Sequence, residues 1–441
     1  MPEDTIHSSR RHPLLSLLPI AIFLILFLGS GIYFYMMDVE YAFYQVSPSV
    51  AILPAIIVGV LLGSGKVTEK IASVVKGMGN GDIITMCLIF LLAGAFGVVT
   101  KAIGCVDDLV FFTLTWLPAS ALLPGLFVLA AFISLAVGSS MGVVAAVTPI
   151  ALGFVNESGL PLPLTIGTVI GGAMFGDNLS MISDTTIAAV QSQKADLLKK
   201  FKLNAMIASS AGAIVIVTLF FVGDTAFIPV EKTYSLLKIL PYLVIILLAL
   251  TGMNVFSVLI IGLISAGIVG ISDSSEYNLI TFTQDIYKGY SSMNEIMVLS
   301  LLVGGMSGLM KAQGAIDYII NKVNAFLHRH KQNPKKAEAA IAALVSFNDI
   351  CIANNTIAVL LTGDIAKKIA KENNIPSYRT ATWLSTFSCV FQGILPYSAQ
   401  ILLASSIANI SPLRVVPEVY YCYILFFVAI GFMFLRRPRA R

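Results

Sequence analysis

The chain has 441 residues, of which 57% are hydrophobic and only 12% charged, with a formal net charge of +4. Its mean hydropathy of +0.87 suits lipid rather than water, which excludes an ordinary soluble domain. The small net charge adds little to this, and no nucleic-acid partner is expected.

Crossing about 30 Å of hydrocarbon as helix takes roughly 20 apolar residues. The first such window, near 14–36, follows Arg10, Arg11 and His12 and contains no small-residue cleavage site, so it reads as a retained helix rather than a removed signal. In chain order there follow an interrupted window near 49–63, full ones near 82–100 and 120–137, and broken or shorter ones near 143–157 and 164–190. Then come 203–222, 236–250, 254–271, 294–310, the interrupted 339–360 and 380–409, and finally 417–435. Runs of this length exceed barrel strands, and a bilayer requires every backbone polar group to be satisfied internally. The expected fold is an all-α polytopic membrane protein of about 10–14 membrane segments, multi-pass in the cell membrane, with 120–150 either a true helix pair or a re-entrant hairpin.

The five cysteines (Cys87, Cys105, Cys351, Cys389, Cys422) stand singly and mostly in apolar runs, as buried small hydrophobes do. All four histidines (His7, His12, His328, His330) lie in polar flanks, so a proton carried inside the membrane must ride on carboxylates.

The chain repeats itself. Residues 91–107 return as 301–317, superposing Gly94 on Gly304, Lys101 on Lys311, Gly104 on Gly314 and Asp107 on Asp317. At a slightly larger offset Ser134 falls on Asp349, Asp177 on Gln392 and Ser183 on Ser398. Two repeats are expected, 1–225 and 226–441, together forming one transport domain. Lys and Arg mark the cytoplasmic side. In the first half they occupy the N-terminus, 64–80 and 191–204, where Lys194, Lys199, Lys200 and Lys202 read as loop, and they are absent from 37–48 and 152–164. In the second half the equivalents reverse: 272–293 has one lysine among its acids, whereas 367–379 carries Lys367, Lys368, Lys371 and Arg379. The halves are therefore expected to be inverted, with both termini cytoplasmic (Arg10 and Arg11; Arg436, Arg437, Arg439 and Arg441) and the 223–235 linker external.

Inverted repeats with interrupted helices imply alternating-access transport, with the site near the midplane where the repeats meet. No Gly-Lys-Ser/Thr phosphate loop is present, so an ion gradient is the expected energy source, and no enzymatic activity or cofactor is expected.

Each half carries two polar interruptions. Gly171 to Thr186 places Asp177, Asn178, Ser180, Ser183, Asp184, Thr185 and Thr186 within an apolar run, at roughly 2.5–3.5 kcal/mol per charged group. These are oxygen ligands without sulfur or imidazole, which suits an alkali or alkaline-earth cation, and sodium is expected. On a continuous helix Ser180, Ser183 and Asp184 share a face, and Asp177 joins it if the turn is kept. The second interruption of that half holds Ser134, Ser139 and Ser140. The other half supplies Ser346, Asn348, Asp349, Asn354, Asn355 and Thr356, then Gln392 and the Pro396-Tyr397-Ser398-Ala399-Gln400 break. A carboxylate in apolar surroundings prefers its protonated form and a nearby cation favours the ionised one, so sodium and a proton can compete for the same group. Small and polar residues in membrane helices also simply knit helices together. That plainer role stays open for Asp349, Ser134, Ser139 and Ser140. Lys101, Asp107 and their mirrors read as interfacial helix ends, and no Lys or Arg is expected inside the breaks.

Phe175-Gly176-Asp177-Asn178-Leu179-Ser180, followed by Ser183-Asp184-Thr185-Thr186, resembles the signature of the NhaC family of Na+/H+ antiporters, with Met181 where that family commonly has proline. The resemblance implies Na+/H+ exchange, with Asp177 and Asp184 taking Na+ or H+ alternately, Asn178, Ser180, Ser183 and Thr185 completing the oxygen shell, and Asp349 with Asn355 and Thr356 closing it. It also implies kinship with the larger ion-transporter superfamily and its elevator-like motion. The family includes members that move malate, lactate or amino acids, which leaves open a Na+- or H+-coupled carrier in which Ser139, Ser140, Asn354, Asn355 and Gln392 hold the solute. The expected partners are Na+, H+, the bilayer and, in one arrangement, a second copy of the chain.

Overall fold

The structure, a computed structural model, describes residues 13–37, 39, 45–63, 65–116, 118–181, 183–222, 234–251, 253–273, 276–315, 318 and 333–435. The expectations on both termini, on most of the 223–235 linker, on Asp317 and on all four histidines lie outside them. Among the described residues there are helices and no strand, as the need for internal backbone pairing in lipid dictates.

The helices in chain order are α1 (Leu18–Met36), α2 (Pro48–Leu62), α3 (Val67–Met78), α4 (Gly81–Ala102), α5 (Cys105–Trp116), α6 (Leu122–Val137), α7 (Ser140–Ser158), α8 (Leu162–Leu179), α9 (Asp184–Gln193) and α10 (Leu197–Val222). After the linker come α11 (Leu236–Leu250), α12 (Val255–Asp273), α13 (Leu279–Ser292), α14 (Asn294–Ala312), α15 (Pro334–Ile352), α16 (Asn355–Glu372), α17 (Ser377–Gln392), α18 (Ala399–Ala408), α19 (Pro412–Val415) and α20 (Tyr420–Leu435). Six described helices are each long and apolar enough to cross a membrane, and α18 with Pro412–Glu418 forms a pair bent by 103° that passes the same test jointly. Shorter apolar helices lie at Pro48–Leu62, Leu122–Val137, Leu236–Leu248 and Tyr420–Phe434. Large apolar side chains such as Leu61, Phe221 and Phe427 remain at least 70% exposed, as lipid-facing groups do.

The internal repeat is visible in the helix boundaries. A shift of 215 positions, Ser140 to Asn355, carries the first residue of α7 onto that of α16 and the first residue of α8 onto that of α17, and it carries α9 (Asp184–Gln193) onto α18 (Ala399–Ala408) at both ends. Left-handed residues recur at the same shift: Gly138 (φ 72°) with Ala353 (53°), Gly159 (71°) with Asn374 (53°), and Lys194 (47°) with Asn409 (49°). Such residues stop a helix by turning the chain out of register. The expected interruptions therefore correspond to real breaks between α6 and α7, α8 and α9, α15 and α16, and α17 and α18.

Two compact units are present, one of 1–87 with 295–331 and the other of 88–294 with 332–441, so each draws on both halves of the chain. The first unit holds α1 to α3 and most of α14. Gly77 and Gly304 approach so closely there that a Cβ on Gly77 would lie 2.3 Å from the Gly304 carbonyl oxygen.

In the second unit α6 packs tightly along α8. A Cβ on Gly176 would stand 2.2 Å from the Ala131 carbonyl oxygen and 2.6 Å from the Leu135 nitrogen, so glycine sets the spacing of these two helices. Ser134 adds a hydroxyl bond to the Ala173 carbonyl at 2.6 Å. Gly176→Ala is expected to lower stability by about 1–3 kcal/mol, because backbone rather than a flexible side chain must give way. A thermal scan of purified protein in detergent measures this, and an unchanged midpoint would show that the helices separate freely.

Arg379 departs from expectation. Rather than lying in a basic loop, it is buried on α17, where its guanidinium makes two bonds, at 2.6 and 2.8 Å, to Glu338 of α15, itself 0% exposed. It also lies 5.4 Å from the Trp383 ring centroid. A planar fork that satisfies a carboxylate bidentately is the form in which an arginine tolerates burial.

Candidate functional site

The second unit gathers the breaks. α8 ends at Leu179, and extended backbone at Ser180 (ψ 135°) and Ser183 (ψ 138°) interrupts the helix before α9. The turn is not kept, so Ser180, Ser183 and Asp184 do not form one helical face as the continuous-helix reading required. The interruption instead aims Asp177 at two helix N-termini. Its Oδ2 accepts from the hydroxyl of Ser140, the first residue of α7, at 2.8 Å. Its Oδ1 accepts from the Ser183 hydroxyl at 2.6 Å, just before α9. Ser183 in turn meets the Thr185 hydroxyl at 2.8 Å. Helix N-termini carry partial positive charge, so this placement steadies a buried anion.

Asp177, Ser183, Thr185 and Ser140 thus form one cluster. Asp184 begins α9 and is exposed, unlike the deep carboxylate expected. Ser180 caps α8 and is 1% exposed. Asn178 bonds to other residues than this cluster, taking bonds from the Asn204 amide group of α10 and donating to the Tyr421 hydroxyl at 3.5 Å. Thr386 of α17 completes that network by donating to Asn204 at 3.1 Å.

The second half is built differently. Asp349 lies one turn from the end of α15 with 0% exposure, and neither carboxylate oxygen has a hydrogen-bond partner. The backbone amide of Gln392, a polar neighbour, stands outside bonding geometry. Gln392 occupies the mirror position of Asp177. Its Nε2 donates to the Ala353 carbonyl at 3.3 Å and to Gln400 Oε1 at 2.9 Å, while its Oε1 is unpartnered. The Ser398 hydroxyl and the Asn348 Oδ1 are likewise buried and unpartnered. Asn348 donates to the Thr362 hydroxyl at 2.9 Å. Half-buried Asn354 caps α16 by accepting from the Ile357 amide, and Asn355 accepts from the Thr356 amide. Half-buried Ser139 precedes α7 without a side-chain cap, and Ser346 bonds back to the Ala342 carbonyl.

Two functional candidates escaped the sequence reading. Lys200, taken as loop, is 1% exposed in the first turn of α10, and its ammonium donates to the Thr186 hydroxyl at 2.8 Å. The signal was periodicity: Lys200, Leu203, Asn204, Ile207, Ala208 and Ala211 form one buried stripe, so this lysine belongs to the helix face and not to its neighbours Lys199 and Lys202. Gln400 closes the break that begins at Pro396. Its Nε2 donates to Ser140 Oγ at 3.0 Å.

Among the described residues no group of three or more His, Cys, Asp or Glu side chains could hold a metal. The oxygens available are hydroxyls, amides and two separate buried carboxylates, a donor set for a hard monovalent cation.

Apolar membrane helices, an internal repeat and buried carboxylates at paired helix breaks define a secondary transporter. Residues 5–223 and 230–436 match the Na+/H+ antiporter family, and the chain belongs to it. It is 23% identical over 393 residues to the Na(+)/H(+) antiporter NhaC of Bacillus subtilis, spanning 82% of this chain and 86% of that one. A malate-2H(+)/Na(+)-lactate antiporter of the same organism is 34% identical over 170 residues, 38% of this chain and 35% of that protein. Among solved structures, the YdaH transporter of Alcanivorax borkumensis aligns over 96% of this chain and 97% of that one, at 12% identity and a TM-score of 0.44.

Proposed function

We propose that the protein exchanges sodium for protons across the cell membrane, with its halves, 1–225 and 226–441, as inverted repeats and both termini in the cytoplasm. Asp349 carries this reading: a fully buried carboxylate with no hydrogen-bond partner is too costly to keep as a bare anion, so it must hold a proton or touch a cation. Both species are the cargo. Asp177 is the second shared group, with Ser140, Ser183 and Thr185 as oxygen donors already pointing at or next to it. Asp184, exposed at the head of α9, serves as an entry charge. Ser180, Thr186, Asn354, Asn355 and Thr356 line the breaks, and Gln392, Ser398 and Asn348 of the second half offer buried, unpartnered oxygens.

A second reading, a sodium- or proton-coupled carrier of a small organic anion, is favoured by Lys200, a buried ammonium that donates to the Thr186 hydroxyl and has the chemistry to take a solute carboxylate. One experiment separates the two. In proteoliposomes with a pH-sensitive dye, a Na+ pulse is expected to collapse an imposed pH gradient with no organic solute present. A response that appears only when a carboxylate or amino acid is added would hand the assignment to Lys200 and the carrier.

A further inference from the structure

The two breaks are joined through the side chain of Gln400, the second residue of α18, which is 5% exposed. Its Oε1 accepts from Gln392 Nε2 at 2.9 Å, on the side of Asp349, and its Nε2 donates to Ser140 Oγ at 3.0 Å. Ser140 passes its own proton towards Asp177 at 2.8 Å. The directions are fixed by the chemistry: Asp177 can only accept as an anion, which makes Ser140 the donor there and the acceptor from Gln400. The mirror residue in the first half, Thr185, sits 215 positions earlier and bonds within its own break to Ser183. Only the second half sends this position across.

We propose that Gln400 is a positioning residue that couples the two breaks, so that a cation in one changes the affinity of the other. This rests on the reading of both breaks as ion sites. A cation drawn to Ser140 Oγ competes with the Gln400 amide for that oxygen's lone pairs. Weakening the bond lets the Gln400 amide turn, and Gln392, whose backbone neighbours Asp349, loses the acceptor that holds its side-chain amide in place. The coupling is reciprocal, as any linkage between binding sites must be.

The test is a mutant cycle on the full chain in proteoliposomes, reading KM for Na+ and maximal exchange rate. Gln400→Met keeps length and packing but removes both bonds; Gln400→Glu keeps the acceptor for Gln392 and removes the donor to Ser140. Each is expected to raise KM about tenfold while the maximal rate stays within about twofold. With Gln400 in place, the KM effects of Ser140→Ala and Gln392→Leu should combine to about tenfold less than their product, and in the Gln400→Met background they should multiply. Effects that multiply with Gln400 present, or a KM unchanged in both Gln400 variants, would overturn the coupling and leave sodium exchange standing. Absence of any Na+-dependent exchange by the native chain would instead overturn the sodium reading, and the coupling with it.

Discussion

Asp177→Asn should lower Na+-dependent exchange by about a hundredfold or more, the equivalent of losing roughly 3 kcal/mol of interaction with the ion. The asparagine fits the space, because each Asp177 oxygen meets only a hydroxyl, from Ser140 or Ser183, that can rotate to accept as well as donate. The charge is what disappears. It is the charge that faces the starts of α7 and α9, so a cation shared with those hydroxyls loses the buried counter-ion they surround. Asp184→Asn should cost far less, about tenfold or below, since that carboxylate is exposed and stands outside the buried hydroxyls around Asp177. Initial rates of dye recovery in proteoliposomes, normalised to inserted protein, measure both. Near-native exchange by Asp177→Asn would remove this carboxylate from the transport cycle.

Breaking the Glu338–Arg379 pair should have the largest effect on stability. Glu338→Leu alone strands a buried guanidinium, and Arg379→Leu alone strands a buried carboxylate; each is expected to cost about 3–5 kcal/mol. The mirror positions 215 residues earlier are Leu123 and Leu164, both buried. The same helix pair therefore packs without charges in the other half, and the double variant Glu338→Leu/Arg379→Met should regain most of either loss. Thermal midpoints in detergent, with the cycle completed by both single variants, provide the comparison. If the double variant were as unstable as the singles, the pair would contribute more than mutual neutralisation.

These two predictions differ in how far the chain announced them. Asp177 was conspicuous because a carboxylate within Gly171 to Thr186 has no reason to be there other than chemistry or pairing. Arg379 was misread because it closes a run containing Lys367, Lys368 and Lys371, and charge counting treats a run as one solvated surface. The partner that makes its burial tolerable, Glu338, lies 41 positions away. Lys200 was lost in the same manner among Lys194, Lys199 and Lys202. Asp184 erred in the opposite direction: its place within the apolar run from Gly171 to Thr186 suggested depth, but it opens α9 just after the extended backbone of Ser183 and is exposed.

Composition and periodicity were sufficient for the helical class, the repeat and the positions of the four breaks, because apolar length, glycine and polar interruptions act locally along the chain. Tertiary packing alone decided which polar groups are satisfied. Asp177 has two hydroxyl partners while Asp349 has none, and that difference depends on α7, α9, α17 and α18 converging from distant parts of the chain. Hydrogen bonding in a medium without water depends on the few ångströms that separate a donor from an acceptor, a distance that no spacing along the sequence encodes.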